Sequence, residues 1–200
     1  MAEPPSDAGD SRSTNDGAQA DFTETTLDSK TVFRGVLLNV IADTVGLPNG
    51  GTSIREYIHH PGACTIIAFV DEETILFERQ FRYPLHRHFI ELPAGKIDKG
   101  EDPLRTAQRE LREECGYEAA EWHHLGTLHP CIGYADEHIE LFMARQLTHV
   151  GHALDSDEFL EVFPLTIAEA LSWVRQGRIT DAKALTGILW AEKIVKGEWS

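Results

Sequence analysis

The apolar residues of this chain are grouped in short runs, separated by polar turn residues, over most of its length. Runs of this length that are rich in Val, Ile, Leu and Phe are typical of β-strands. The predicted strands fall within residues 32–45, 53–58, 64–70, 74–79, 88–92, 122–129, 138–147 and 161–164. The runs 64–70 and 74–79 flank three acidic residues, so they are predicted to pair as a hairpin.

A helix is predicted between Pro103 and Gly116, where the spacing of apolar residues changes. Proline is favoured at the first helical position because its missing N–H has no partner there, and glycine ends many helices in a left-handed conformation. The positions that recur at helical spacing and define the core-facing side are Leu104, Gln108, Leu111 and Cys115. Glu110 and Glu114 lie four residues apart, so they project together from a different face.

Two further helices are predicted toward the C-terminus. Thr166 and Glu169 have the spacing of a capping box, and the helix that they open should stop near Gly177. Thr180 or Asp181 should cap the last helix. Strands first, then one central helix, then two more helices favour an α+β fold, a mixed β-sheet sandwich between helices, over a doubly wound repeat.

The composition limits the kinds of partner. The 200 residues carry a formal net charge of −15, which argues against a nucleic-acid backbone or an anionic membrane surface as partner. There is no apolar run of about 18 residues that could span a bilayer. The N-terminus lacks the pattern of a secretory signal, and the three cysteines lack the spacing of a disulfide framework. These features predict a cytoplasmic protein with reduced thiols.

The most informative segment is residues 95–117, GKIDKGEDPLRTAQRELREECGY. It carries four glutamates and one arginine on or beside the predicted helix, namely Glu101, Arg109, Glu110, Glu113 and Glu114. Carboxylates packed this closely repel one another, so their ionised forms are stable only with positive charge among them. The expected cation is Mg²⁺, with Mn²⁺ as a substitute, because hard cations prefer oxygen ligands and often bridge to substrate phosphates.

The spacing of this segment, G-x5-E-x7-R-E-L-x-E-E-x-G-Y, resembles the Nudix box. Four further segments resemble the ADP-ribose pyrophosphatase and nucleoside-diphosphate-sugar hydrolase branch of that family, and they are residues 55–63, 79–84, 91–98 and 177–183. The likeness covers roughly residues 33–196. It implies hydrolysis of the pyrophosphate bond of ADP-ribose or a related nucleoside diphosphate sugar.

Three parts of the chain are predicted. Residues 1–28 are rich in Ser, Asp, Gly and Pro, and they are expected to form a disordered acidic tail because they cannot bury enough apolar surface. Residues 29–60 are expected to form an N-terminal antiparallel β extension, and residues 61–200 the Nudix hydrolase domain. The resemblance implies a homodimer in which the extension reaches to the partner.

The resemblance also assigns the metal site. It makes Glu110 and Glu114 metal ligands, and the backbone carbonyl of Ala94 completes the set. Glu113 is implied to be a further ligand or a contact through water, with a catalytic role. Arg109 is counted with the catalytic residues and is predicted to orient a neighbouring glutamate rather than to touch substrate.

A downstream acidic loop supplies a further candidate, Glu158. This residue matches a position that the resemblance implies acts on the metals or on the attacking water. Ser156 stands where many relatives have a second glutamate. The general base is therefore open among Glu158, Glu113 and Asp157, and a solvated acidic loop without a catalytic role is the alternative.

The candidate substrate contacts lie outside the box or at its first residue. Arg55 and Arg82 could pair with the diphosphate or stack on the base, since a guanidinium does both, and surface ion pairing is the alternative. Glu137 could accept hydrogen bonds from sugar hydroxyls. Glu56 and Gly95 complete the predicted substrate-binding set.

Two other functions stay open at this point. The chain could be a nucleotide-sensing Nudix domain without turnover, although a pure binder has no need of a repulsive carboxylate cluster. It could also remove oxidised nucleoside triphosphates. Residues 131–133 depart from the Ser-Pro-Gly common in ADP-ribose hydrolases, so the preference between ADP-ribose and GDP-mannose is open.

Overall fold

A computed structural model of the chain describes residues 20–151 and 159–199. Its first sheet is antiparallel, has the order β1-β2-β3, and consists of β1 (Thr25–Arg34), β2 (Asn39–Gly46) and β3 (Thr52–His59). This sheet corresponds to the predicted N-terminal extension. All residues of β1 are exposed, so the strand is held by its backbone pairing with β2 rather than by burial.

The other strands form two sheets. The four-stranded sheet has the order β7-β4-β9-β8 and consists of β4 (Ala63–Ala68), β7 (Ala94–Lys96), β8 (Tyr117–Leu128) and β9 (Ile139–His149). Within it, β4 and β9 are parallel. The three-stranded sheet is antiparallel, has the order β10-β5-β6, and consists of β5 (Thr74–Arg82), β6 (Arg87–Glu91) and β10 (Leu160–Thr166).

The helices cover the two sides of this sandwich and are α1 (Pro103–Cys115), α2 (Ile167–Arg175) and α3 (Ala182–Val195). Ile66 of β4 packs in a core with Leu111 of α1. The next residue, Ile67, packs in a second core with Ile188 of α3, because successive side chains of a strand point to opposite faces. The predicted α+β class, a mixed β-sheet sandwich between helices, is confirmed.

The helices begin and end close to the predicted positions. Asp102 accepts a hydrogen bond from the backbone N–H of Leu104 at 3.0 Å, and Gly116 ends α1 at a φ of 73°. Thr166 and Glu169 form the reciprocal capping box of α2. Within residues 20–151 and 159–199, no helix combines the length and the apolar character needed to cross a bilayer.

The beginning of the extension differs from the prediction. Residues 1–19 lie outside the described residues, but β1 begins at Thr25, so the end of the predicted tail belongs to the first sheet. The prediction for residues 1–28 rests on how little apolar surface their composition can bury. An exposed strand instead satisfies its backbone groups by pairing with a neighbour, and composition carries little information on that pairing.

The predicted strand at residues 32–45 is also divided. The chain reverses direction between β1 and β2, and the turn is closed by a hydrogen bond from the N–H of Gly35 to the carbonyl of Leu38 at 2.8 Å. The apolar residues continue through the turn, where Val36 is fully exposed. An uninterrupted apolar run therefore concealed the reversal.

The predicted hairpin between residues 64–70 and 74–79 is wrong. β4 pairs with β7 and β9, whereas β5 pairs with β6 and β10 in the other sheet. A bridge between Phe69 and Ile75 marks where the chain passes from one sheet to the other. Both runs are nearly continuous in apolar residues because they are buried on both faces, and such a run does not disclose its pairing partner.

Candidate active site

A cleft with a volume of about 800 Å³ lies beside α1 and β7. Pockets of this size accommodate small-molecule and cofactor ligands. The cleft brings together most of the residues predicted for the site, namely Arg82, Ala94, Gly95, Arg109, Glu110, Glu113, Glu114 and Glu137. These residues come from widely separated parts of the sequence, so the fold and not the chain order assembles them.

Gly95 lies directly against the carboxylate of Glu110. An ideal Cβ on Gly95 would stand 1.8 Å from Oε1 of Glu110, so a larger residue does not fit unless that carboxylate moves. The whole Glu110 residue is only 8% exposed. The first glycine of the box is therefore required for close approach between β7 and α1.

Glu114 reaches the same short strand. The backbone N–H of Ala94 donates a hydrogen bond to Oε2 of Glu114 at 3.1 Å, and Glu114 is 5% exposed. Glu110 and Glu114, one helical turn apart, thus direct their carboxylates at the Ala94–Gly95 pair. Carboxylate and backbone carbonyl oxygens are the donors that a hard divalent cation prefers, so the residues present fit such an ion.

Arg109 is bonded to the other acids of the box. Its Nη1 donates to Oε1 of Glu110 at 2.8 Å and to Oε2 of Glu113 at 3.1 Å. Its Nε and Nη2 donate to Glu101 at 3.2 and 3.1 Å, and Nη2 also contacts the carbonyl of Lys96. Hydrogen bonds from Arg109 are the main reason that the pKa of Glu101 falls to about 2. With its donors engaged in this way, Arg109 is placed to hold glutamates, and its predicted orienting role stays a prediction.

The described acids of the box face β7 and Arg109 and do not all meet at one point. Among the residues that the structure describes, no three Asp, Glu, His or Cys side chains converge closely enough to hold an ion. Arg109 supplies the neutralising charge for Glu110 and Glu113 in this arrangement. The remaining predicted ligand on β7, the carbonyl of Ala94, belongs to the backbone and so is not one of these side chains. Glu158 lies outside the described residues, as do Ser156 and Asp157.

Paired cations and acids form another part of the cleft. Arg82 donates to both carboxylate oxygens of Glu91, at 2.7 and 2.8 Å. Lys183 also donates to Glu91, and it donates to Oδ2 of Asp181 at 3.0 Å. Glu91 and Lys183 are not among the site residues predicted from the sequence. Both lie in segments that carry the family resemblance, but spacing along the chain does not pair residue 91 with residue 183.

Glu137 lies on a loop that is attached to the N-terminal extension. Its Oε1 is 3.8 Å from Nδ1 of His60, and both residues line the cleft. The neighbouring Asp136 accepts a hydrogen bond from the backbone N–H of His60 at 2.7 Å and contacts Nδ1 of His59 at 2.6 Å. The end of β3 therefore holds the loop that presents Glu137 to the cleft.

Arg55 and Glu56 lie on β3 and are not among the residues that line the cleft of their own chain. The Arg55 guanidinium instead donates to both carboxylate oxygens of Glu24, at 2.9 and 2.5 Å. The surface ion pair that the sequence left as an alternative is thus present. Within the chain, these two predicted substrate contacts are separate from the rest of the set.

Glu78 is a buried carboxyl group outside the set of site residues predicted from the sequence. It is hydrogen-bonded to Glu114 and accepts a hydrogen bond from Sγ of Cys115 at 3.3 Å. Burial raises the pKa of Glu78 to about 7, although both hydrogen bonds act to lower it. The available signal was an acid two residues after Leu76, at a position of β5 that alternation turns inward.

We expect Glu78→Gln to stabilise the metal-free protein at pH 8 and to change its stability little at pH 5. A carboxyl group whose pKa is raised by folding stabilises the fold in its protonated form, and that contribution is lost as pH rises toward 7. The unfolding midpoint at pH 8 should rise by at least about 3 °C, measured by circular dichroism in EDTA. Glu73→Gln, at an exposed turn, is the control. A larger gain at pH 5 than at pH 8 would contradict this expectation.

Comparison with known proteins defines the chain as a hydrolase, in whose cleft a carboxylate-bearing helix faces a short glycine-containing strand. Residues 59–185 match the NUDIX domain, and residues 24–58 match the nucleoside diphosphate sugar hydrolase N-terminal domain. The chain therefore belongs to the Nudix family and is an enzyme. The resemblance predicted from residues 95–117 is confirmed.

The relatives cover nearly the whole chain. It is 41% identical to the methanol dehydrogenase activator of Bacillus methanolicus over 173 aligned residues. The alignment covers 86% of this chain and 94% of that protein. It is 39% identical over 171 residues to the ADP-ribose pyrophosphatase of Bacillus subtilis (strain 168), with 84% and 92% covered. A crystal structure of an ADP compounds hydrolase aligns with a TM-score of 0.81 over 90% of this chain and 98% of that one, at 22% identity, and this shows the fold. Nudix hydrolases generally use divalent metal ions.

Proposed function

We propose that this enzyme hydrolyses the pyrophosphate bond of ADP-ribose or of a related nucleoside diphosphate sugar. The products would be AMP, or the corresponding nucleoside monophosphate, and a sugar phosphate. The observation that carries the proposal is that Glu110 and Glu114 converge on Ala94 and Gly95 in one cleft with Arg82. The name of the Bacillus subtilis relative and the family match of residues 24–58 support this substrate class over oxidised nucleoside triphosphates.

Mg²⁺ is the proposed cation, with Mn²⁺ as a substitute. Glu110, Glu114 and the carbonyl of Ala94 would hold it, with Glu113 as a further ligand or a contact through water. When bound, a divalent cation offsets the charge of the diphosphate oxygens and lowers the pKa of water. Arg109 would keep the carboxylates of Glu110 and Glu113 in place, since it already donates to both.

In the proposed reaction, a water oxygen bonds to one phosphorus while the bond from that phosphorus to the bridging oxygen breaks. The bridging oxygen leaves with the other phosphate, and a carboxylate accepts the proton from the water. Glu113 lines the cleft and is one candidate acceptor. Glu158 and Asp157 are the others, and both lie outside the described residues. Arg82 would bind the diphosphate or the base through the part of its guanidinium that Glu91 does not occupy.

A phosphate-release assay tests this proposal. ADP-ribose is incubated with the enzyme, Mg²⁺ and alkaline phosphatase, which removes phosphate from the products but not from the intact diphosphate. EDTA also inactivates alkaline phosphatase, so for the metal test the enzyme is first incubated with ADP-ribose alone and then heat-inactivated, and the phosphatase is added afterwards with divalent metal in excess of the chelator. We expect phosphate from incubations with Mg²⁺ and none from incubations in EDTA. Calorimetric binding of ADP-ribose without phosphate release would favour a sensor. Pyrophosphate release from oxidised nucleoside triphosphates, with ADP-ribose inert, would favour an enzyme that removes such triphosphates.

A substrate panel then ranks the nucleotide sugars. Initial rates with ADP-ribose, GDP-mannose, ADP-glucose and NADH, at matched concentrations, report which group beyond the diphosphate is recognised. A preference for ADP-ribose requires recognition of both the adenine and the terminal ribose. The predicted cytoplasmic location belongs to this proposal and rests on the acidic charge and the cysteine pattern.

We also propose that the enzyme is a homodimer joined through its N-terminal sheet. Apolar side chains of this region are more than half exposed in one chain, and they include Leu27, Phe33, Val36 and Ile54. Grouped apolar side chains on a surface mark sites of protein association. In such a dimer, Arg55 and Glu56 could contact the cleft of the second copy, although they do not line the cleft of their own chain.

Light scattering should therefore give a mass twice the 22.4 kDa of the chain. Combining Phe33→Glu with Ile54→Glu should yield a monomer with lower kcat/KM, because carboxylates resist burial in an interface. Leu189→Glu, at an exposed leucine of α3, is the control and should stay dimeric. A monomeric parent protein, or an intact dimer in the double variant, would refute the arrangement.

A further inference from the structure

Two buried charges tie the last helix to the cleft. Glu91 ends β6 and is 4% exposed, and Lys183 lies in the first turn of α3 and is 9% exposed. Their side chains form an ion pair, although they lie 92 positions apart in the sequence. Charged groups this deeply buried require a partner, so the pair fixes where α3 sits relative to β6.

The start of α3 determines where Lys183 points. Asp181 caps the helix by accepting a hydrogen bond from the N–H of Ala184 at 2.9 Å. The same oxygen, Oδ2, accepts a hydrogen bond from Nζ of Lys183 at 3.0 Å. One carboxylate therefore defines both the first turn of the helix and the direction of the lysine.

A glycine one turn further along lets the helix approach. Gly187 lies four residues after Lys183, so the two occupy the same face of α3. A Cβ on Gly187 would stand 2.3 Å from Cδ1 of Leu92, the residue next to Glu91. Only a residue without a side chain permits this contact, and the contact brings α3 close enough for Lys183 to reach Glu91.

Glu91 in turn restrains the orientation of Arg82. Its Oε1 accepts from Nε of Arg82 at 2.7 Å, and its Oε2 accepts from Nη2 at 2.8 Å. The lysine bonds to Oε2 as well, so it restrains rotation of the carboxylate. Because the arginine pairs with both oxygens, the plane of its guanidinium follows the plane of the carboxylate. Although burial acts to raise it, the pKa of Glu91 is lowered by its bonds to Arg82 and Lys183, so the anion is maintained.

We propose that Lys183 is a positioning residue for substrate binding, acting through Glu91 to hold the Arg82 guanidinium in the orientation that receives the diphosphate or the base. The inference rests on the proposed function. The first turn of α3 would thus contribute to the affinity of the cleft for substrate. Lys183 itself is committed to Glu91 and Asp181, so its contribution is made through the arginine.

The test is a double-mutant cycle on ADP-ribose hydrolysis. Lys183→Met should raise KM by about tenfold and change kcat by less than about threefold, because the arginine contributes to binding in the ground state and the transition state alike. In an Arg82→Ala background, the same change should have little further effect on KM. Lys183→Arg should recover part of the lost affinity, since it restores a cation.

A matched control is available on the same helix. Lys193 pairs with Glu198 at 2.6 Å and lies outside the cleft, so Lys193→Met should leave KM within about twofold of the parent value. Thermal unfolding of every variant, and calorimetric binding of a methylene-bridged ADP-ribose that resists hydrolysis, separate positioning from loss of fold. Where Lys183→Met fails to fold, Gly187→Ala supplies the second variant, and the same rise in KM is expected.

The outcomes distinguish this inference from the proposed function. If the parent enzyme neither binds nor hydrolyses nucleoside diphosphate sugars, the proposed function fails. If the parent enzyme is active and a folded Lys183→Met variant keeps its KM, the positioning role is refuted. An equal rise in KM in the parent and Arg82→Ala backgrounds also refutes it, because the lysine would then act independently of the arginine.

Discussion

Glu114→Gln is expected to lower kcat by about a hundredfold or more at saturating Mg²⁺. The substitution keeps the size of the side chain and its ability to accept the hydrogen bond from the N–H of Ala94. It removes the negative charge that a divalent cation requires. Because Glu114 is buried near other acids, the loss of its charge should not lower stability in metal-free buffer. Phosphate release from ADP-ribose and thermal unfolding measure the two effects separately.

Glu118→Gln is the control for this variant. Glu118 lies on β8, is exposed, and pairs with Arg112 at 3.4 Å on the surface. Its substitution should leave turnover within about twofold, because an exposed ion pair contributes little. Near-normal turnover in Glu114→Gln at saturating Mg²⁺ would count directly against Glu114 as a ligand. A drop of equal size in both variants would indicate a general charge effect.

Gly95→Ala is expected to lower kcat/KM by about a hundredfold or more. A methyl group at this position would overlap Oε1 of Glu110, so either the carboxylate or β7 must shift. Overpacking of this kind also destabilises by about 1–3 kcal/mol, which would appear as a lower unfolding midpoint. Steady-state kinetics with ADP-ribose across a range of Mg²⁺ concentrations should show the loss at every concentration.

A second substitution separates displacement of Glu110 from damage to the fold. Glu110→Ala removes the carboxylate and the Cγ that an added methyl at residue 95 would overlap, so adding it to Gly95→Ala should restore stability and should not restore activity. Gly51→Ala is the control, since its Cβ would meet the flexible side chain of Asn49 on an exposed turn. Full activity in Gly95→Ala would show that the close contact between β7 and α1 has no part in catalysis.

The local parts of the site could be predicted because they depend on spacing within one short segment. Pro103 and Gly116 mark the ends of α1, and the interval between Glu110 and Glu114 puts both on one face. The family resemblance supplied Ala94, the chemistry of the guanidinium suggested Arg82, and the fold brings both to the same cleft. These inferences use a periodicity or a motif that can be read from the sequence alone.

The parts that failed depend on pairing between distant segments. The strands at residues 64–70 and 74–79 are adjacent in the chain, yet burial on both faces takes them into different sheets. The partners of Glu91 and Glu78 come from α3 and α1, and neither partner is marked by its position in the sequence. The place of Arg55 outside the cleft likewise follows from the separate N-terminal sheet.

One strand serves as a common reference for both sides of the active cleft. Ile66 and Ile67 of β4 face separate cores, one shared with the helix of the carboxylates and one shared with the helix of Lys183. β4 is itself held by its pairing with β7 and β9, so it opposes movement of the two helices relative to each other. Amide hydrogens of this strand should therefore be among the slowest to exchange with deuterium, and ligand affinity should survive any local opening that leaves them protected.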